Sequence, residues 1–285
     1  MTDRRSFVLG GIACGAMSGL RPLLAAEDAC PGLVRPKPPP GKVVVMQCWD
    51  DSPATDIRLM ALCRKYGAKA TFNLIPRTKP STHHVVKLDP KDPESIYWWT
   101  KRGEENGRAT CDIESVLTKD FAETYRGFTV AAHDYVTHRD DPAGVEKDRQ
   151  ALRELKALFA EKMGQEEAGY VWPGGRTSEA GARRIREAGF RYARTTKGTG
   201  GASLAWTDAM YVPASCTWWA KDFWRNYESV RRTGGFFWFW GHSCELGDDN
   251  ALWDKYEAML QRISSDRDAT WIDPIDLFVR RLDKA

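Results

Sequence analysis

Two adjacent aspartates, Asp50 and Asp51, stand directly after the apolar run Val43-Val44-Val45-Met46. Neighbouring carboxylates repel each other unless a cation or a shared proton lies between them. Five histidines occur in the chain, and two of them, His133 and His138, fall five residues apart in Ala131-Ala132-His133-Asp134-Tyr135-Val136-Thr137-His138. Two imidazoles and one carboxylate are enough to hold zinc or a similar ion and leave positions open for water. A fifth histidine, His242, ends the aromatic run Phe236-Phe237-Trp238-Phe239-Trp240-Gly241. Each group taken alone has a plainer reading. Asp and Ser before a helix are common N-caps, and a histidine after an apolar run is often a satisfied core residue. His83 and His84 lie in an irregular stretch and read as surface residues.

All three groups follow strand patterns, and that shared placement tells against coincidence. Residues just beyond the C-terminal ends of parallel strands form the active sites of α/β folds. Strand signals fall at 43–46, 70–74, 128–132, 169–172, 191–195, 210–215, 236–240 and 269–272. Helical periodicity falls at 56–66, 113–125, 145–162, 179–188, 250–264 and 274–282, with Gly67 as a stop after the first. Residues from about 77 to 111 show no period and read as a long surface excursion, with a short helix near Trp98-Trp99. The alternation of strands and helices predicts an α/β single domain, a distorted (β/α) barrel of seven strands. The predicted boundaries are a leader over 1–26, a proline-rich entry segment over 27–42 and a catalytic domain over 43–285.

Composition narrows the function. A formal charge of +3 with both signs dispersed leaves no basic field for nucleic acid. Asp3-Arg4-Arg5-Ser6-Phe7-Val8-Leu9 is a twin-arginine pattern, followed by a weakly apolar stretch to Leu20 and the small-residue site Leu24-Ala25-Ala26. That stretch is short for a membrane span. The expected location is therefore periplasmic or secreted, with no stable membrane insertion once the leader is removed. Removing residues 1–26 takes away three arginines and one aspartate and leaves a charge of about +1. Of seven cysteines, Cys14 leaves with the leader. The remaining six permit disulfides in an oxidising compartment, and no Cys-x-x-Cys zinc spacing occurs.

The motifs, in their order, resemble those of the polysaccharide deacetylase family. The resemblance runs through Trp49-Asp50-Asp51-Ser52-Pro53, Tyr125 to His138, Tyr170-Val171-Trp172-Pro173-Gly174-Gly175, Gly189-Phe190 with Tyr192-Ala193-Arg194, and Trp240-Gly241-His242-Ser243-Cys244-Glu245. It spans roughly residues 43 to 280. It implies a metal-dependent hydrolase that removes N- or O-linked acetyl groups from a polysaccharide or oligosaccharide. By position it implies Asp50 as general base, His242 as general acid, and Asp51, His133 and His138 as ligands of a divalent ion, zinc by default. The chemistry agrees: a metal polarises the acetyl carbonyl, a carboxylate takes a proton from water, and an imidazolium donates to the leaving group.

The sequence departs from the family pattern in places. The histidines are five apart where four is usual, with Asp134 as the substitute ligand if His138 is not one. Ser52 replaces the usual Gly, and Thr129 stands where relatives often have Glu. The third motif lacks its usual Arg, so that Arg176 or no residue at all orients the base. Trp49, Trp172, Pro173, Arg176, Trp218 and Trp240 are the candidates for sugar contact, since aromatic faces stack on sugar rings. Two other functions fit the departures. One is a carbohydrate-binding protein that has lost its chemistry; the other is a metal-dependent amidohydrolase acting on a small non-sugar amide. Oligomeric state is not legible.

Overall fold

The first strand, β1 (Val43–Asp50), is almost wholly buried, as a β-branched run covered on both faces should be. The structure, a computed structural model, describes residues 37–134 and 142–278. From β1 the chain enters α1 (Asp56–Tyr66), which ends on Gly67 at φ 64°, a left-handed cap that glycine adopts at no steric cost. It continues through β2 (Thr71–Leu74), β3 (Thr82–Lys87), β4 (Tyr97–Trp99) and β5 (Thr110–Glu114). The single turn α2 (Phe121–Thr124) precedes β6 (Thr129–Ala132), α3 (Pro142–Met163) and β7 (Gly169–Val171). There follow α4 (Glu179–Glu187), β8 (Ala193–Gly198), β9 (Val212–Ala214), β10 (Cys216–Thr217), α5 (Phe223–Thr233), β11 (Gly235–Gly241), α6 (Asn250–Ser265) and β12 (Ala269–Trp271).

Parallel pairing runs in the order β10-β11-β1-β2-β6-β7-β8-β9 and makes a nearly closed barrel with helices around it. The wall has eight strands where seven were expected. The extra one comes from the 210–217 segment, which bends at Ser215 and contributes both β9 and β10. Strand β12 lies beside the first half of β1 and β2 beside its end. Between β9 and β11, Ser215 N donates to Trp238 O at 2.6 Å and Trp238 N donates to Ser215 Oγ at 3.0 Å, which narrows the gap. Trp49, Trp172, Trp238 and Trp253 are among the largest fully buried side chains. The described cysteines, Cys48, Cys63, Cys111, Cys216 and Cys244, are all free thiols.

The excursion is ordered differently from its sequence reading. Strands β4, β3 and β5 form a separate antiparallel sheet, with Val85 opposite Trp99 and Cys111. Trp98-Trp99 is therefore in a strand and not a helix. The expected helix at 113–125 begins in β5, and only a 3-10 turn over Thr118–Asp120 and the single turn α2 follow. Helix α5 carried no expectation. The expected helix at 274–282 begins as a 3-10 turn over Pro274–Leu277, and its remainder lies outside the described residues. Short strands in the excursion are stabilised by partners far along the chain, a signal that local periodicity does not carry.

A candidate active site at the barrel mouth

The site is assembled from the C-terminal ends of β1, β2, β6 and β11, with Arg194 reaching in from the start of β8. Asp50 is the last residue of β1, and the next two residues turn sharply, Asp51 with φ 78° and Ser52 with φ 55°. Non-glycine residues rarely hold positive φ, and each such residue costs on the order of 1–3 kcal/mol unless its surroundings fix it. Here they do: Asp51 N donates to Asn73 O at 3.2 Å, Val116 N to Ser52 O at 2.8 Å and Ile75 N to Ser52 Oγ at 3.1 Å. The serine that replaces the usual glycine thus uses its hydroxyl to hold the turn. The result places two carboxylates side by side, facing His133 and His242.

Asp50 is buried and fully engaged. Its Oδ2 receives Arg194 Nη2 at 2.5 Å and its Oδ1 receives Asn73 Nδ2 at 2.6 Å. Arg194 comes from β8, is wholly buried, and lays its guanidinium over the Trp240 ring at 4.4 Å. Burial opposes ionisation of Asp50, but Arg194, His133 and His242 outweigh it and hold the carboxyl below its usual range. Arg194 occupies the orienting position for which Arg176 was the candidate. Arg176 is exposed, just after the Pro173–Gly175 turn. Arg194 stood in the quoted motif but was not singled out. Its strand, Ala193–Gly198, is polar after its first residue, so that nothing local marked Arg194 out.

His133 lies just past β6. Its Nδ1 donates to Val171 O at 3.0 Å, which turns Nε2 toward Asp51 Oδ1 at 3.2 Å and Asp50 Oδ2 at 4.0 Å. A backbone carbonyl on the far nitrogen is the usual way to aim a metal-binding imidazole. Burial lowers the His133 pKa, yet the two carboxylates raise it overall, and burial is likewise overcome at Asp51, whose carboxyl is held low by His133 and His242. The pair attracts positive charge, whether as a proton on Nε2 or as a cation in its place. One imidazole nitrogen and one carboxylate oxygen suit zinc, cobalt or nickel. Among the described residues no three His, Cys, Asp or Glu side chains are gathered as a metal site. His138 lies outside the described residues. Of Asp134, the backbone carbonyl accepts from the Tyr170 hydroxyl.

His242 follows β11. Its Nδ1 meets Glu245 Oε1 at 2.9 Å, while its backbone N donates to Glu245 Oε2 at 3.1 Å. Trp218 Nε1 donates to the same Oε2 at 2.6 Å. Nε2 of His242 is 4.0 Å from Asp50 and from Asp51. Burial lowers the imidazole pKa, but Glu245 and then the two aspartates raise it to about 9. These carboxylates favour the protonated form of the ring. Trp99 stands edge-on to it with ring centres 4.5 Å apart. Trp99 is itself anchored: its Nε1 donates to His83 Nδ1 at 3.2 Å, and His83 Nε2 meets Ser115 Oγ at 3.0 Å. His83 is thus a buried residue and not a surface one, its pKa pushed down to about 4 chiefly by burial. Nothing local distinguished it from His84.

Three of the sugar-contact candidates are corrected by burial. Trp49, Trp172 and Trp218 have almost no exposed area, and their indole N–H groups donate inward to Gln47 Oε1, Met210 O and Glu245 Oε2. A ring with no free face cannot stack on a sugar. Pro173 and Trp240 are half-buried.

No protein-family model and no curated protein matches the chain. Solved structures do. A Mycobacterium smegmatis protein named with the polysaccharide deacetylases is 15% identical, with a TM-score of 0.51 over 85% of this chain and 91% of that one. A family 4 acetyl xylan esterase from Clostridium thermocellum, in complex with a cobalt ion, is 13% identical with a TM-score of 0.42, over 82% of this chain and 90% of that one. The peptidoglycan deacetylase PdaC from Bacillus subtilis is 11% identical with a TM-score of 0.44, over 83% and 90%. The chain has the polysaccharide deacetylase fold.

Proposed function

We propose that this barrel is a metal-dependent hydrolase that removes acetyl groups, amide- or ester-linked, from a polysaccharide or oligosaccharide. The observation that carries the reading is the arrangement around Asp50: His133 Nε2 and His242 Nε2 both lie 4.0 Å from Oδ2, and Arg194 holds the carboxylate from behind. A carboxylate, an imidazole nitrogen aimed at Asp51 and a histidine whose carboxylate neighbours favour its protonated form face one another. Asp51 and His133 are suited to hold a divalent ion, zinc by default, with His138 or Asp134 as the proposed third ligand. Such an ion would supply Lewis-acid polarisation of the acetyl carbonyl.

The chain's own groups account for the proton movements. Asp50, kept ionised and oriented by Arg194 and Asn73, accepts a proton from the attacking water. The C–N or C–O bond to the sugar then breaks, and His242 gives its Nε2 proton to the departing amine or alcohol. Acetate leaves with the oxygen of the water. Glu245 keeps His242 charged beforehand and aims its ring. Export by the twin-arginine pattern in residues 1–26, which precede the described residues, is part of the proposal and suits a glycan outside the cytoplasm.

The test is acetate release from acetylated chitin and xylan oligomers by the zinc-loaded protein. Parent activity lost in Asp50→Asn, with metal still bound, supports the reading. Glycan binding without turnover in the parent points to the carbohydrate-binding alternative, and turnover of small amides alone points to an amidohydrolase.

A further inference from the structure

Asp56 opens helix α1, shortly after Asp51, and takes no part in the proton transfers described above. It is wholly buried, and each of its carboxyl oxygens holds a side chain from another part of the chain. Oδ1 accepts from Ser243 Oγ at 2.6 Å, and Oδ2 accepts from Tyr125 OH at 2.9 Å. Ser243 Oγ also lies 2.7 Å from Thr55 Oγ1, so the serine is fastened to two consecutive residues of the segment after β1. Taking a carboxyl out of water is unfavourable, and an apolar side chain would fill the same space without that cost. What an apolar side chain could not do is join these segments.

The segments it joins carry the catalytic groups. Ser243 follows His242 and opens the 3-10 turn Ser243–Leu246, from which Glu245 grips both the ring and the backbone N of His242. Thr55 and Asp56 follow the turn in which Asp51 and Ser52 hold positive φ. The parallel ladder between β1 and β11 ends with Trp49 opposite Gly241, one residue short of Asp50 and His242. Beyond that pair the backbone no longer fixes how the two turns stand to each other. Among the described residues, the hydrogen bonds that tie 51–56 to 242–247 are those of Ser243 with Thr55 and Asp56. Tyr125 braces the far side, holding Oδ2 so that Oδ1 faces the serine.

Resting on the deacetylase reading above, we infer that Asp56, acting through Ser243, is a positioning residue that sets the distance between His242 and the Asp50–Asp51 pair. Nε2 of His242 stands 4.0 Å from each of those carboxylates. Proton transfer depends steeply on such spacing, and a displacement of about 1 Å can lower a rate on the order of a hundredfold. Asp56 thus works on the acid and not on the substrate. Its loss should reach the rate of the chemical step and leave binding of the glycan and of the metal to other groups.

The experiment is kcat and KM for acetate release from acetylated chitin and xylan oligomers by the zinc-loaded parent, Ser243→Ala, Asp56→Leu and Asp56→Asn. Ser243→Ala should lose about tenfold or more in kcat, with KM and zinc content near those of the parent. Asp56→Leu should match it, and Asp56→Asn, whose amide still offers an oxygen to Ser243, should recover most of the rate. Should Asp56→Leu fail to fold, the comparison of Ser243→Ala with Asp56→Asn decides. A lower melting temperature with the parent kcat per folded molecule overturns the inference, as does an Asp56→Asn no faster than Ser243→Ala. If the parent releases no acetate, the deacetylase reading fails on its own. The spacing is then read from the imidazole NMR signals of His242 in zinc-free protein. The two aspartates help to raise the pKa of that ring, so in Ser243→Ala, which removes no charge, the titration midpoint should fall as the turn moves away. An unmoved midpoint overturns the inference.

Discussion

Arg194 Nη2 lies 2.5 Å from Asp50 Oδ2, both side chains are shut off from water, and the two residues are 144 positions apart in sequence. An ion pair in that setting is held in place more by what its loss would cost than by what its formation yields. Arg194→Ala leaves a buried carboxylate without its cation. The expected result is a loss of about 3–5 kcal/mol of stability and a fall in kcat on the order of a hundredfold or more, since Asp50 loses its orientation. Arg194→Lys, which keeps the charge without the planar fork, should lie between. Urea unfolding and initial rates measure both effects, and a variant with unaltered kcat would remove Arg194 from the site.

Glu245 sets the charge of His242. The folded pKa of about 9 lies above the usual value of 6.5, so protonation of this ring stabilises the fold fully below pH 6.5 and ceases to do so as pH rises through 9. Activity that needs the imidazolium should fall on the same alkaline side. In Glu245→Gln the alkaline limb of kcat/KM should move to lower pH. An unmoved limb would mean that another group donates the proton.

Zinc binding should depend on Asp51 and His133. Protein incubated with zinc and desalted should hold about one ion per chain in the parent and none in His133→Ala or Asp51→Asn. Because His133 must lose its proton to ligate, uptake should weaken as pH falls. His138→Ala decides the third ligand: lost metal assigns His138, and retained metal turns attention to Asp134.

Asp56 is a buried carboxyl outside the proposed chemistry. Its oxygens receive Ser243 Oγ at 2.6 Å and Tyr125 OH at 2.9 Å, yet burial raises its pKa to about 8. A carboxyl with a raised folded pKa stabilises the fold fully below its unfolded value, near 4, and loses that contribution as pH climbs through 8. Asp56→Asn, which cannot ionise, should therefore gain in melting temperature relative to the parent as pH is taken from 5 to 9. A constant difference across that range would contradict the buried-carboxyl account.

Trp218 donates to Glu245, which in turn holds His242. Trp218→Phe removes the indole donor at 2.6 Å, so kcat should fall several-fold, as for one lost hydrogen bond to a charged group, while KM for an oligosaccharide stays near the parent value. A raised KM with unchanged kcat would return Trp218 to the sugar-binding surface.

The alternation of apolar runs with helical periods is a local property, and it sufficed for the barrel and for the rule that Asp50, Asp51, His133 and His242 stand at strand ends. Residue type did the rest for those four, because few side chains can bind a metal or pass a proton. Arg194 was not legible in its role, since its partner is set by the juxtaposition of β1 and β8 across the barrel. His83 and His84 are adjacent and alike in sequence; the pleat of β3 sends one into the core against Trp99 and Ser115 and the other toward Asp112 and Glu105. Aromatic content raised the expectation of a sugar surface, but which of the twelve tryptophans stay open fell to burial. Trp49, Trp172 and Trp218 went inward because their N–H groups found acceptors there, and Trp98 stayed open because the excursion sheet that carries it folds over the barrel mouth. Sequence determined which chemistry is available at the strand ends. Tertiary packing decided which groups support it, because support depends on faces that meet only when distant strands close into a barrel.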